Sequence, residues 1–225
     1  MKNIIDIENV NLRIGKTDIL KNVNINFEKG KIHGLIGRNG SGKTMLMTCV
    51  CGFIKTTSGI IKVNEKQVGK DCDFPDNMGI IIETPGFIPY YSGYKNLKLL
   101  AGLRGKIGKT EIVNAMEQVG LDPNLKRHIR KYSLGMRQRL GLAQAIMENP
   151  DILILDEPMN GLDKDGVADM RKYLLNLKAQ GKTILIASHS SEDIEVLCDT
   201  VCEMDKGVPV SYTHLRAHET LMNLV

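Results

Sequence analysis

Hydrophobic and polar residues alternate in the first thirty positions of the chain. Ile5, Ile7, Val10 and Leu12 are separated by charged or amide side chains, and a second alternation covers residues 19–27. This pattern is typical of strands with one buried and one exposed face. We therefore expect an antiparallel sheet at the N-terminal side of the fold.

Further apolar runs are bounded by glycine or polar turns. The run at residues 152–155 is continuously apolar, as in strands buried on both faces. Helical patterns separate several of these runs, and such alternation predicts an α/β fold with a parallel sheet. The additional predicted strands cover residues 31–36, 60–63, 78–83, 152–155, 183–187 and 200–204, and short helices are predicted at 45–50, 169–179 and 192–197.

A block of helical periodicity extends from about residue 94 to residue 149. Its apolar stripes lie at residues 97–103, 112–119 and 134–147, and Thr110 is a candidate cap for the second helix. Because this block lies between predicted strands, we expect a helical lobe at about 86–148, inserted in a single domain of residues 1–209.

Composition limits the possible functions. The chain has 225 residues, of which 42% are hydrophobic and 25% charged, with a formal charge of +4 and no Trp. These values are typical of a globular protein and give no sign of nucleic-acid binding. Asp6 and Glu8 come too early for a signal peptide, and no apolar run approaches the roughly 20 residues of a membrane helix. We expect a cytoplasmic protein that reaches a membrane only through a partner.

Two smaller clusters have plain structural explanations. The basic residues between 126 and 131 are interpreted as a solvated loop and helix start rather than as a contact for phosphate or an acidic partner. The five cysteines lack the spacing of a zinc site and are expected to be buried thiols. They are Cys49, Cys51, Cys72, Cys198 and Cys202.

A glycine-rich segment between the predicted strand 31–36 and the predicted helix 45–50 has the spacing of a phosphate-binding loop. Glycines allow backbone N–H groups to turn toward phosphate oxygens, and the helix N-terminus adds further N–H groups. Lys43 is expected to reach the β- and γ-phosphates of ATP, and the Thr44 hydroxyl to bind Mg²⁺. The predicted nucleotide-binding residues of this loop are Gly37, Arg38, Asn39, Gly40, Ser41, Gly42, Lys43 and Thr44.

Two carboxylates follow the apolar run at residues 152–155. Asp156 is expected to hold Mg²⁺, and Glu157 to act as the general base on the attacking water. Alone, this pattern also fits a strand followed by an acidic turn. Together with the glycine loop it predicts phosphoryl transfer, because that reaction requires both a phosphate cradle and a metal carboxylate.

With these motifs in place, residues 3–207 resemble the ATP-binding cassette (ABC) family. The run Tyr132–Leu140 is similar to the signature of that family, although Leu134 replaces a usual glycine or serine. The resemblance implies that Ser133 and Gly135 bind the γ-phosphate held by a second copy, although an ordinary capping serine also fits. It also implies that Asp163 lies between subunits and that His189 contacts the γ-phosphate.

The chain departs from the family pattern at two positions. Ile14 stands where an aromatic residue usually stacks on adenine, and Glu83 stands where glutamine is usual. Glu83 is a candidate ligand for Mg²⁺ and nucleotide, but it adds negative charge near the γ-phosphate. Glu83 followed by Thr-Pro-Gly-Phe resembles the subgroup that exports peptide antibiotics or confers immunity to them, of the bacitracin and lantibiotic types.

The resemblance implies an ATPase subunit of a transporter that binds ATP and Mg²⁺. Two copies would face each other head to tail, and separate membrane subunits would bind near Phe87, at the inner face of the membrane. A cassette ATPase acting on DNA or ribosomes is the alternative. Fewer than ~100 residues separate the loop from the signature, without the sustained heptads of the DNA-repair members.

The end of the sequence fits neither a helical nor a strand period. Residues 210–220 resemble the translation of a sequencing-library adaptor. We interpret residues 210–225 as a non-native tail and expect the native sequence to stop near Pro209.

Overall fold

The computed structural model describes residues 2–83 and 86–215, which form two compact units. The first unit contains the residues up to Pro75 and those from Thr183 onward, and the second contains Asp76–Lys182. In chain order the elements are β1 (Asn3–Ile14), β2 (Thr17–Glu28), β3 (Ile32–Ile36), α1 (Lys43–Val50), β4 (Ser58–Val63), β5 (Lys66–Gln67), β6 (Met78–Ile81), α2 (Gly93–Arg104), α3 (Lys109–Gln118), a 3₁₀ turn (Ile129–Lys131), α4 (Leu134–Ile146), β7 (Ile152–Asp156), α5 (Lys164–Ala179), β8 (Thr183–Ala187), α6 (Ser191–Leu197), β9 (Thr200–Asp205) and β10 (Val208–His214).

The first unit contains the predicted antiparallel sheet. Its strand order is β2-β1-β4-β5, and β1 pairs antiparallel with both β2 and β4. The apolar members of the alternation point inward, since Ile5, Ile7 and Val10 are all buried. The prediction of an antiparallel sheet is therefore confirmed.

The first unit also contains four strands in the order β10-β9-β3-β8, of which β9, β3 and β8 are parallel to one another. β3 pairs parallel with β8 and with β9, and Leu35 is in register with both Ala187 and Cys202. The carboxyl ends of these three strands therefore lie along one edge of the sheet. Ligands of open α/β sheets bind at such an edge.

In the second unit, β6 and β7 pair in parallel and α4 packs on β6. The close packing depends on Gly79, because a Cβ atom at this position would lie 2.0 Å from the Ala145 carbonyl oxygen. Helix α3 packs against both α2 and α4. That residues 86–148 form a lobe inserted in a single domain stays a prediction.

Several element boundaries differ from the expected ones. Thr110 does not cap α3; the cap is Gly108, whose N–H donates to the Glu111 carboxylate at 2.8 Å. Helix α5 begins at Lys164 rather than near 169, because the Asp163 carboxylate accepts a hydrogen bond from the Gly166 N–H. In both helices a carboxylate in the first turn or at the cap fixes the start.

The segment after Gly207 forms a strand although its sequence has no strand period. β10 pairs antiparallel with β9 as far as His214, and the Tyr212 hydroxyl donates to the Asn26 carbonyl at 3.2 Å. The same hydroxyl also lies 3.2 Å from Thr200 Oγ1. Main-chain pairing and these side-chain bonds hold the strand where side-chain alternation is absent. The remainder of the predicted non-native tail, residues 216–225, lies outside the described residues.

Four of the five cysteines are buried, as expected, and Cys72 is partly exposed. Burial raises the pKa of the Cys49 thiol to about 11 and that of Cys51 to about 12. Both thiols are therefore protonated at neutral pH and are not reactive nucleophiles. Within residues 2–83 and 86–215, no cluster of His, Cys, Asp and Glu could hold a metal by itself, and no helix is long and apolar enough to cross a membrane.

Replacing Gly79 by alanine should destabilise the second unit by about 1–3 kcal/mol, since the added methyl group would overlap the Ala145 carbonyl. The matched control is Gly102→Ala in α2, where a Cβ atom meets nothing within 4 Å. That change should stabilise the protein by about 0.5–1 kcal/mol, because alanine is the better helix former. Urea unfolding of both variants measures the difference, and equal free energies of unfolding would contradict the packing described here.

Candidate functional site

The glycine loop 37–44 connects β3 to α1 at the carboxyl edge of the parallel strands. Gly37, Gly40 and Gly42 have φ angles of 141°, 78° and 104°, which other residues rarely adopt. A Cβ atom at Gly37 would lie 2.2 Å from the Met204 carbonyl oxygen. The loop conformation therefore requires glycine both for its backbone angles and for its close contact with β9.

Gly207, which the sequence analysis did not single out, anchors this loop. Its N–H donates to the Ser41 carbonyl at 2.9 Å, and its carbonyl accepts from the Lys21 N–H at 2.9 Å. A Cβ atom at Gly207 would lie 2.0 Å from the Ile19 carbonyl oxygen. The turn between β9 and β10 thus holds the glycine loop against β2.

Lys43 is only 7% exposed, and its ammonium lies against the loop that precedes it. The Nζ atom donates to the Gly37 carbonyl at 2.7 Å and to the Arg38 carbonyl at 3.3 Å. These bonds use two of its three donors. The positive charge is thereby fixed beside the N-terminus of α1, where an anion is favoured.

Ser41 supplies a further sign that the loop binds a ligand. Its side chain is buried, and its Oγ atom has no hydrogen-bond partner among the described residues. A buried hydroxyl without a partner is costly, so a bound group with oxygen atoms would stabilise it. Gly42, the N-cap of α1, provides no side-chain cap for the first turn. The loop therefore fits a phosphate chain.

Arg38, Asn39 and Gly40 form the exposed tip of the loop, and Thr44 is half-buried in the first turn of α1. The tip is a tight turn, because the Ser41 N–H donates to the Arg38 carbonyl at 3.1 Å. These residues are placed where the motif predicts them.

His189 follows β8, the parallel neighbour of β3, and is exposed. The flanking residues are fixed: the Ser188 hydroxyl donates to the Asp193 carboxylate at 3.1 Å, and Ser190 caps α6. Strand pairing therefore brings His189 to the same sheet edge as the glycine loop. At the exposed end of β1, Ile14 presents an aliphatic surface, with 49% of the residue accessible.

The second unit carries the predicted carboxylates. Asp156 ends β7 and is buried, and Glu157 follows it with a φ angle of 49°. Strand β6 ends at Ile81, earlier than expected, so Glu83 lies in the following exposed segment rather than in a strand. Because Ile81 is in register with Leu155, Glu83 and Asp156 follow the same ends of neighbouring strands.

The Glu157 carbonyl accepts two hydrogen bonds, from the Asn160 N–H and from Gln138 Nε2, each at 3.2 Å. Sequence reasoning included Gln138 in the signature run but assigned it no role. Gln138 lies five residues after Ser133, and nothing in this local pattern indicates that its partner is Glu157.

The signature residues also begin a helix. Ser133 is the N-cap of α4, and its Oγ accepts from the Met136 N–H at 3.1 Å. A Cβ atom at Gly135 would lie 2.9 Å from the Gly161 carbonyl oxygen, so the start of α4 packs closely on the loop before α5. Asp163 caps α5, as described above. A capping serine keeps its O–H as a donor, so capping and ligand binding are compatible.

Parallel strands with a glycine loop that leads into a helix define a P-loop nucleotide-binding protein. The profile of the ABC transporter family matches residues 20–160, well over half of the chain. The chain belongs to this family: it is an ABC-type ATP-binding subunit and an ATPase.

Relatives of known sequence extend this result. The chain is 45% identical over 204 residues to an uncharacterised ABC transporter ATP-binding protein, YybJ, of Bacillus subtilis, covering 91% of this chain and 94% of the relative. It is 40% identical to the bacitracin transport ATP-binding protein BcrA of Enterococcus faecalis, covering 96% and 72%. It is 38% identical to the lantibiotic transport ATP-binding protein SrtF of Streptococcus pyogenes, covering 88% and 85%. The resemblance to the bacitracin and lantibiotic subgroup is therefore confirmed.

Solved structures support the fold. A dimeric ATP-binding cassette, MJ0796, in a post-hydrolysis state with ADP and Pi, superposes with a TM-score of 0.85 at 20% identity, covering 95% of this chain and all of the other. The predicted α/β P-loop fold, with an N-terminal antiparallel sheet, is confirmed.

Lys43→Met should weaken nucleotide binding by roughly tenfold to a hundredfold, because a hydrogen bond to a charged group contributes about 1.5–3 kcal/mol. Binding of a fluorescent, non-hydrolysable ATP analogue measures the effect. Lys106→Met, at an exposed lysine of the second unit, is the control and should bind normally. Wild-type affinity of the Lys43 variant would show that this ammonium does not contact phosphate.

Proposed function

We propose that the chain hydrolyses ATP to drive export of a peptide antibiotic or a related compound through separate membrane subunits. The main support is the similarity to ATP-binding proteins named for bacitracin and lantibiotic transport, which extends over most of this chain. As a single domain of residues 1–209, with the helical lobe at 86–148, the protein would act in the cytoplasm, bound peripherally at the inner face of the membrane.

The nucleotide would lie between two copies arranged head to tail. One copy would contribute the glycine loop, the carboxylates after β7, and His189. The other would contribute the N-terminus of α4, with Ser133 and Gly135, and Asp163 would lie at the boundary. The helix start itself supports this arrangement, because Ser133 is the N-cap of α4 and a helix N-terminus favours a bound anion.

Thr44, Asp156 and Glu83 would hold Mg²⁺. These side chains offer hydroxyl and carboxylate oxygens, which are the ligands that this ion prefers. Mg²⁺ in such sites takes few protein ligands together with phosphate oxygens. When bound, the ion neutralises charge on the β- and γ-phosphates.

The protein side chains would then carry the reaction. Lys43 and the N-terminus of α1 stabilise the charge that develops on the γ-phosphate. Glu157 orients the attacking water and accepts its proton, and His189 contacts the γ-phosphate from the neighbouring strand end. Binding of ATP closes the pair, and hydrolysis allows it to open again.

The segment after Glu83 is the proposed contact with the membrane subunits. Three large apolar residues here are exposed: Ile88 by 44%, Tyr90 by 62% and Tyr91 by 39%. Ile88 is held in place by Asn96, whose amide accepts from the Ile88 N–H at 2.7 Å and donates to the Ile88 carbonyl at 3.2 Å. An apolar, locally fixed surface of this kind is suited to a protein partner.

Affinity capture tests the transporter proposal. Tagged protein with Glu157→Gln is expressed in its native host, the membranes are solubilised gently, and the proteins retained with ATP are identified. We expect a membrane protein with several spanning segments. Ribosomes or DNA without such a partner would contradict the proposal and support the alternative, a cassette ATPase acting on those assemblies.

Glu157→Gln should preserve ATP binding and reduce turnover by about 10²-fold or more, because general-base catalysis typically contributes 10²–10⁴-fold. Phosphate release measures turnover and a fluorescent nucleotide measures binding. Glu148→Gln, just beyond the C-terminal end of α4, serves as the control. Turnover close to that of the wild type would show that Glu157 is not the base.

Glu83→Gln should retain ATPase activity, because an amide oxygen can also bind the metal and glutamine is usual at this position in the family. Removing one negative charge near the γ-phosphate should also lower the KM for ATP. Steady-state ATPase assays over a range of Mg²⁺ concentrations measure both effects. An inactive enzyme would mean that the carboxylate itself is required.

A further inference from the structure

Gln138 connects α4 to the backbone of the proposed base. Its side chain is only 8% exposed, and its Nε2 atom donates to the Glu157 carbonyl at 3.2 Å. The donor lies on the helix that begins with the signature, and the acceptor belongs to the residue that would activate water. The bond therefore joins two parts of the second unit that serve different nucleotides. In the proposed mechanism, the start of α4 contacts the ATP held by the partner, and Glu157 acts on the ATP held by its own copy.

The conformation of Glu157 requires support from its surroundings. Its φ angle of 49° is in the left-handed region, which is unfavourable for a residue with a side chain. The next residue is Pro158, which further restricts the backbone before it. Such a conformation persists only where neighbouring groups fix it. The Glu157 carbonyl is fixed from two sides, by the Asn160 N–H and by Gln138 Nε2.

A second contact of α4 reaches the other end of the same loop. Gly135 and Gln138 are three residues apart and therefore lie on one face of the helix. Gly135 packs against the Gly161 carbonyl, and Gln138 binds the Glu157 carbonyl. This face of α4 consequently contacts both ends of the loop 157–161, and a shift of the helix start would be transmitted to Glu157.

We propose that Gln138 is a positioning residue that links the two nucleotide sites of the dimer. In each copy, Ser133 and Gly135 serve the ATP of the partner, whereas Glu157 serves the copy's own ATP. Engagement of α4 by the partner's nucleotide therefore orders the base of the opposite site through the amide of Gln138. This inference rests on the proposed function, because it assumes the head-to-tail arrangement and the role of Glu157.

Gln138→Met tests the link by removing the donor at nearly constant volume. We expect kcat to fall roughly three- to tenfold, as for the loss of one hydrogen bond. The KM for ATP should stay within about twofold, because the bond that is removed is made to a main-chain carbonyl and not to a nucleotide-binding side chain. The Hill coefficient for ATP should fall toward 1, since the two sites would no longer influence each other.

Gln138→Glu adds a readout that a purely structural role would not change. Its carboxylate cannot donate to the Glu157 carbonyl, whereas the protonated acid can. Burial raises the pKa of such a carboxyl group, so part of it is protonated near neutral pH. Relative to wild type at each pH, the activity of Gln138→Glu should rise as the pH is lowered from 8 to 6, and that of Gln138→Met should stay constant. The pH dependence of the ratio between Gln138→Glu and wild type can be measured even if Gln138→Met folds poorly.

Tyr173→Phe is the matched control for the loss of one hydrogen bond in the same unit. The Tyr173 hydroxyl donates to Gln118 Oε1 at 3.1 Å, far along the chain from Glu157, and kcat should be unchanged. Wild-type kcat and Hill coefficient in Gln138→Met, or a flat pH ratio in Gln138→Glu, would overturn the proposal. Glu157→Gln is measured in parallel: if it retains turnover, the proposed role of Glu157 fails, and if it is inactive while Gln138→Met is normal, only the present inference fails.

Discussion

The first unit depends on a place where three backbone segments meet without side chains between them. Gly37 lies against the Met204 carbonyl, Gly207 lies against the Ile19 carbonyl, and Gly207 also bonds to the carbonyl of Ser41. A side chain at Gly37 or Gly207 would separate the glycine loop from β9 or β2. Because the loop cannot close around phosphate by local preference alone, its shape is set by these contacts. The position of Lys43 follows from that shape, since its ammonium is bound by the loop's own carbonyls.

The second unit uses its polar side chains for two purposes. Ser133 and Asp163 cap helices, and the same groups are the ones proposed to face a second copy. Capping fixes the direction of each side chain and leaves capacity for a further contact, since a serine hydroxyl can accept one bond and donate another. The residues that begin α4 and α5 are therefore also those proposed to lie at the nucleotide between two copies. Stability and function therefore depend on the same hydrogen bonds, and changes at these positions will affect both.

Sequence reasoning was most successful where one residue type has one physical role. The glycine loop, the apolar strand before Asp156 and the strand before His189 were all predictable, because spacing and periodicity determine them locally. It failed where a residue far along the chain, or the reach of a neighbouring side chain, determines the local structure. Thr110 was expected to cap α3, but Glu111 reaching back to Gly108 fixes the start of that helix. Gln138 and Gly207 could not be assigned roles, because their partners lie far along the chain, and β10 is formed by pairing with β9 rather than by its own pattern.

The proposed reaction requires that each nucleotide is held by two copies of the chain. Light scattering of the Glu157→Gln protein with ATP and Mg²⁺ tests it most directly, because this variant should bind ATP without consuming it. We predict a dimer that returns to monomers with ADP, and monomers that still bind ATP when Ser133→Arg is added to the same protein. A protein that stays monomeric with ATP bound, or a dimer unaffected by Ser133→Arg, would contradict the claim.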